Sequence, residues 1–291
     1  MSPLFHEMIG DAMTRRQAIQ LLKDSPQLHV SYSQIWVYLA CSLKYKFQYV
    51  ENRRFERISS NLFFGSAIHS ALERYYRTWK EKGTPEILKN VQEHFCDSIN
   101  LELDKNDLPV LFKREAPNRD GLIQMGMAML EAFYESIDLN GFQIVEVELP
   151  LSATLYTDAG EPTDFKLVGV IDLLLMDENQ ELLVVDHKTA ARAKTQSTVD
   201  DDLQFTSYAY LLGANRFIFP TAPVKCRMDV LRKLKKAPKL EYYHTMRTSE
   251  NRKRFAKIAV TVLNAIENKL FLPNRSWLCS DCPFPKACQN W

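Results

Sequence analysis

An α/β fold with a mixed central sheet flanked by helices is predicted by three features of this 291-residue sequence. Residues 166–190 carry two apolar runs, 167–176 and 182–185, either side of the polar tetrad Asp177, Glu178, Asn179 and Gln180. That is the pattern of an antiparallel hairpin. Helical apolar periodicity occupies about 61–140, and a strand pair at 224–246 leads into a long amphipathic helix ending near 270. A hydrophobic content of 46% over this length supplies a core for one large domain or two small ones. We assign residues 29–291 to a single domain and 1–28 to an N-terminal extension.

Within the extension, 12–22 is a short amphipathic stretch. Ser31 or Ser33 then caps a helix bearing Ile35, Trp36, Leu39, Leu43 and Phe47, with Cys41 on it. From Asn61 a second helix carries Phe64, Ile68, Leu72, Tyr75, Tyr76 and Trp79 and stops at Gly83. His69 lies beside its apolar stripe. Thr84, Pro85 and Glu86 open a third helix with cap and N1 proline in order. After a polar loop, 104–119, helix periodicity resumes over 121–137. Gly141 begins a strand reaching 151, in which Val145, Val147 and Leu149 face one way. Ile144, Glu146 and Glu148 face the other, Glu148 toward the acidic hairpin or, in preference, toward solvent. Past the hairpin and a loop, 191–199, a helix starts at 200–202, where Gln204 and Tyr208 are neighbours four residues apart. Strands at 224–235 and 239–246 and a helix over 249–270 follow.

The hairpin carries the chemistry. Alternation places Val168, Val170, Asp172 and Leu174 on one face of the first strand and Leu182, Val184, Asp186 and Lys188 on one face of the second. A three-residue loop, 178–180, sets Asp172 opposite Asp186. Two carboxylates buried among Val and Leu are costly, and Lys188 neutralises only one of them. A divalent metal compensates both; the bland alternative is a solvated Asp186–Lys188 pair of little energetic weight.

The net charge of +1 is unevenly spread. Residues 225–257 hold twelve Lys/Arg against three Asp/Glu, leaving twenty-five against thirty-three elsewhere, so a +9 segment sits on a −8 background. Such a patch is a footprint for a polyanion, the alternative being a solvated strand and helix face. No leader and no apolar window of about 18 residues is evident, so a cytoplasmic protein with reduced thiols and no membrane partner is expected.

Cys279, Cys282 and Cys288, spaced C-x2-C-x5-C among Pro and aromatic residues, signal a metal. Three thiols complete neither a zinc nor an iron-sulfur site. The fourth candidate is Cys41, since Cys96 and Cys226 sit in periodic segments that explain them as packing. Tying the chain ends together this way contributes on the order of 5 kcal/mol by loop closure. A Cys-rich tail without metal is the alternative.

Taken together, Gly65-Ser66-Ala67-Ile68-His69, Gly169-Val170-Ile171-Asp172, Asp186-His187-Lys188, Gln204-x3-Tyr208 and the terminal cysteines resemble the RecB-like branch of the PD-(D/E)XK nucleases. Within it the likeness is to members with an iron-sulfur cluster, such as the AddB nuclease domain and the small CRISPR-associated RecB-like exonucleases, over 31–288. The resemblance implies a restriction-endonuclease-like core in which His69, Asp172, Asp186 and the main-chain carbonyl of His187 hold divalent metal. Lys188 assists the attacking water, and Gln204 and Tyr208 lie near the DNA. It implies a [4Fe-4S] cluster on Cys41, Cys279, Cys282 and Cys288 in preference to zinc. Relatives often have Pro after the first Cys, where this chain has Ser42.

The implied activity is a DNA exonuclease acting on single strands or ends, in repair, recombination or CRISPR spacer acquisition. CRISPR adaptation or helicase and recombination proteins are the implied partners. An imidazole in an oxygen site favours Mn2+ at least as much as Mg2+. A non-catalytic DNA-binding or assembly subunit, using the same fold as scaffold, is the other reading. Intact Asp172, Asp186 and Lys188 weigh against it.

Overall fold

The computed structural model describes residues 28–157, 159–234 and 237–291; the amphipathic stretch 12–22 lies outside them. The described chain begins with strand Leu28–Ser31 (β1) and helix Tyr32–Ala40 (α1). Of the two candidate caps it is Ser31 that closes a capping box, accepting from Gln34 N while its own N–H bonds Gln34 Oε1 at 2.8 Å. The helix expected to run on through Phe47 breaks at Cys41, which is extended, and resumes as Ser42–Tyr45 (α2) and a π-turn, Lys46–Val50. The break is fixed from the far end of the chain. Leu43 N donates to Leu272 O at 3.1 Å, and Ser42 Oγ donates to that oxygen and accepts from Leu272 N at 2.8 Å.

Next come Ile58–Ser59 (β2) and Ser60–Lys82 (α3), which ends as expected on Gly83 at φ 75°, a left-handed position suited to glycine. Leu88–Asp104 (α4) begins later than Thr84-Pro85-Glu86 suggested. Glu86 instead turns its carboxylate to Asn90 Nδ2 at 2.9 Å and to Arg74 of α3, acting between helices. Val110–Leu111 (β3) pairs with β2, and Arg119–Ser136 (α5) is capped by Asn118.

The sheet is built from Phe142–Tyr156 (β4), Pro162–Asp177 (β5) and Leu182–Ala190 (β6), then Val224–Arg232 (β7) and Lys239–Arg247 (β8). Between them lie the helices Gln196–Asp200 (α6) and Leu203–Ala214 (α7). Ser249–Glu267 (α8), a 3₁₀ turn, Trp277–Asp281, and Pro285–Gln289 (α9) close the chain. β4 and β5 pair antiparallel over almost their full lengths, well beyond the limits 151 and 166 that alternation suggested. The polar residues near their joining turn hide the period there.

The described strands form a six-stranded mixed sheet: β5 neighbours β4 on one edge, and β1 and β6 on the other. β6 continues to β7 in parallel and β7 to β8 antiparallel. Helices cover both faces, as predicted. α1, α7 and α8 pack Ile35, Phe205, Leu211, Phe255 and Val262 on one face, while α3, α4 and α5 pack Phe64, Ile68, Phe95, Met129 and Phe133 on the other. Burying each of these side chains contributes roughly 1.5–3 kcal/mol, so two apolar layers clamp the sheet.

Candidate metal centre and active site

β5 organises the site by being paired with two different strands along one edge. Its ladder with β1 ends at Val168 and that with β6 begins at Leu173, leaving 169–172 without a strand neighbour there. The hairpin loop does hold three residues, 178–180, closed by Asp177 N donating to Glu181 O. The register Leu173↔Val185 puts Asp172 and Asp186 next in line, but the strands part before reaching them. The two carboxylates therefore flank the mouth of a fork.

Facing changes at the same level. Leu149, Leu151 and Ala153 of β4 and Leu167 and Ile171 of β5 pack against α1, α7 and α8, whereas Val147 and Leu173 pack against α3 to α5. Between them Glu148 has φ 53°, a left-handed backbone costing on the order of 1 kcal/mol in a non-glycine residue. The expectation that Asp172 shares a face with Leu174 is overturned. Leu174 lies in the α7 layer, and Asp172 turns toward His69 of α3.

Glu148, expected to face water, is only 3% exposed and joins the site. One ligand atom each from His69, Glu148 and Asp172 lie within 4.8 Å of one another. Asp172 Oδ2 accepts from His187 N at 2.9 Å and lies 3.5 Å from His69 Nδ1. Asp186 stands outside this trio, on the α7 side of the fork. A sequence signal for Glu148 existed: an acidic residue amid apolar strand positions that alternation alone sends outward. Its twin Glu146 shows why that signal is ambiguous, for it is buried too but held by Lys80 at 2.8 Å.

Around Asp186 a second group forms. Lys188 Nζ lies 2.7 Å from Asp186 Oδ2 and donates to Gln204 Oε1 at 2.9 Å. Gln204 Nε2 donates to Tyr208 OH at 2.7 Å, and Tyr208 OH reaches Asp186 Oδ1 at 3.4 Å. Asp186 Oδ2 is fully buried and has the Lys188 ammonium as its charged neighbour. Burial first, and then the charge of Asp172, push the Asp186 carboxyl up to about 7 against the opposing pull of Lys188. Burial works against the Lys188 ammonium, yet Asp186 and Asp172 outweigh it and raise its affinity for the proton. His187 turns its ring the other way, against Tyr76 at 5.3 Å, and burial lowers it to about 3, leaving a neutral imidazole.

A fit to a divalent cation follows from these groups alone. Three buried carboxylates, Glu148, Asp172 and Asp186, gather about a single ammonium, that of Lys188, with the His69 imidazole beside them. Oxygen ligands with one imidazole suit Mn2+ and Mg2+.

The basic footprint needs correction. Of the twelve cations in 225–257, Arg227, Arg232, Lys233, Arg247 and Arg252 are buried. Arg227 forms a two-pronged pair with Asp229, Arg232 binds Glu241, and Lys225 meets Asp177 and Glu181. Much of that charge is structural, since counting residues cannot tell inward from outward strand positions.

The thiols gather at the other end of the chain. Cys41 and Cys282 pack together against Leu43, Phe47 and Phe284. Burial, with Cys41 and Cys279 adding to it, raises the Cys282 thiol. Protein contacts hold the segment: Glu56 accepts from Lys286 N and Ala287 N at 3.0 Å, and Arg57 donates to Cys282 O at 3.0 Å. Among the described residues no three thiols lie within 4.8 Å of one another. A zinc tetrahedron with Zn–S near 2.3 Å requires thiols about 4 Å apart. Cys96 and Cys226 lie elsewhere, in α4 and β7.

The family described as the PD-(D/E)XK nuclease superfamily matches residues 29–289. No curated protein matches the chain. The solved structure titled "Crystal structure of SSO0001" aligns over 84% of this chain and 93% of its own at 14% identity, with a TM-score of 0.36, a likeness too distant to carry an argument.

Proposed function

We propose, since the chain belongs to the PD-(D/E)XK nuclease superfamily, that it is a metal-dependent DNA exonuclease of the RecB-like branch acting on single strands or DNA ends. The observation that carries this reading is the set His69, Glu148 and Asp172, its two carboxylates buried, beside the Asp186–Lys188 pair at the fork of the sheet. His69, Glu148, Asp172 and Asp186 are the side chains that would hold a divalent ion, with the His187 carbonyl as a further donor. The ion supplies an acidified water and charge relief for the phosphate.

Lys188 carries a fixed positive charge to the reacting phosphate, where developing negative charge is stabilised most. Gln204 and Tyr208 hold Lys188 and Asp186 in one geometry. Near-complete burial of the three carboxylates favours a flexible strand or frayed end over a duplex wall, because the scissile phosphate has to enter the fork.

Cleavage of single-stranded DNA with Mn2+ tests this. Glu148→Gln, Asp186→Ala and Lys188→Ala are expected to lower kcat by more than about 100-fold while DNA binding persists. A wild type inert with both metals supports the scaffold reading instead, and cutting with Mg2+ alone contradicts the Mn2+ preference.

The thiols Cys41, Cys279, Cys282 and Cys288 are proposed to carry a [4Fe-4S] cluster that ties both chain ends. Iron and sulfide analysis of anaerobically purified protein is expected to find both; stoichiometric zinc without iron overturns the assignment. The partners proposed are CRISPR adaptation or helicase and recombination proteins, and among the described residues no helix is long and apolar enough to cross a membrane.

A further inference from the structure

Arg247, the last residue of β8, is the largest fully buried side chain among the described residues. The oxygens it bonds are all uncharged. Its Nε donates to Thr206 Oγ1 at 3.0 Å, its two terminal nitrogens donate to Thr245 Oγ1, Met246 O, Val199 O and Asp202 O at 2.7–3.0 Å, and its face lies over the Phe205 ring. Taking a guanidinium out of water without a carboxylate to bond is expensive, and an apolar residue of similar volume serves a core at lower cost. What the guanidinium does here is join three elements: the end of β8, the last turn of α6 through Val199, and the start of α7 through Asp202 and Thr206.

The start of α7 is where the site is set. Asp202 caps the helix by accepting from Gln204 N at 2.7 Å, and Gln204 Oε1 in turn accepts from Lys188 Nζ. A rotation of that first turn moves Gln204 and lets Lys188 swing away from Asp186.

We infer that Arg247 is a positioning residue for Lys188, acting through the cap of α7 and Gln204. This rests on the nuclease reading above. Only a planar fork reaches all these oxygens at once, so a lysine at the position keeps charge and bulk but releases the helix start.

The test is a double-mutant cycle on Mn2+-dependent cleavage of single-stranded DNA with Arg247→Lys, Gln204→Ala and both together. Arg247→Lys is expected to lower kcat about 10-fold with KM within about twofold, and to cost less than about threefold in the Gln204→Ala background. Thr206→Val removes one anchor of Arg247 more gently. It is expected to show a smaller loss that also vanishes without Gln204, and it serves if Arg247→Lys does not fold. Losses that simply multiply in the double variants, or an unchanged kcat, overturn the inference while leaving the nuclease intact. A wild type that cuts with neither metal removes the nuclease reading and this one together.

Discussion

Glu148 and Lys233 show how burial alone decides the role of a charged side chain. Glu148 sits in a strained, left-handed conformation that turns it into the cluster with His69 and Asp172. Strain of this kind persists only where the surroundings enforce it. Glu148→Gln is therefore expected to keep the fold and to weaken the Mn2+-induced rise in Tm by at least half, as read by calorimetry with and without the ion. Lys233 is also buried, over the Phe64 ring at 4.4 Å, with Nζ donating to Asn61 Oδ1 at 2.8 Å. Burial pulls it down to about 8. Because the folded value lies below the unfolded one, near 10.4, the unfolded chain binds more protons between them, and stability contributed by this group rises as pH goes from about 8 to about 10. Below pH 8 the folded protein carries the full cost of the buried charge, on the order of 3 kcal/mol at most. Lys233→Met is expected to be more stable than wild type at pH 7 and nearly equal at pH 10.5, measured by urea unfolding at both.

Among the elements, the α4–α5 contact is the least forgiving. A Cβ at Gly126 would lie 2.0 Å from the ring of Phe95, which is fully buried and has nowhere to move. Gly126→Ala gains helix propensity of about 1 kcal/mol, yet overpacking costs typically 1–3 kcal/mol and more where the neighbour is locked. A net loss of about 2 kcal/mol or more is expected in chemical denaturation. The interrupted α1–α2 junction belongs to the same scale. Apolar periodicity reads straight through Cys41, because the break is imposed by Leu272 and Ser42, residues 230 apart in sequence. Ser42 thus anchors the junction through its hydroxyl, bonded to both the carbonyl and the amide of Leu272. Ser42→Ala is expected to loosen the terminal segment, seen as faster amide exchange at Leu272 and Leu43, with the sheet core unchanged.

For the whole molecule, three buried carboxylates in one fork predict that a divalent ion stabilises the fold as well as serving chemistry. Binding to the native state alone raises stability by about 2.7 kcal/mol at a hundredfold excess over Kd. Mn2+ is therefore expected to raise Tm by several degrees, an effect lost in the double variant Glu148→Gln, Asp172→Asn. What the sequence by itself determined was local: apolar period 3.6 marked α3, α5 and α8, period 2 and a polar tetrad marked the β5–β6 hairpin with its three-residue loop, and Gly83 marked a helix end. These follow from side-chain spacing along one segment, so no partner is needed to read them. The family resemblance named His69, Asp172, Asp186 and Lys188 through residue types at their positions, without their geometry. Only tertiary structure decided that β5 changes neighbours at 169–172, that Glu148 turns inward with Asp172, and that five cations of the basic stretch are buried. Each of those depends on which distant strand or helix lies alongside, a quantity that periodicity within a single segment does not carry.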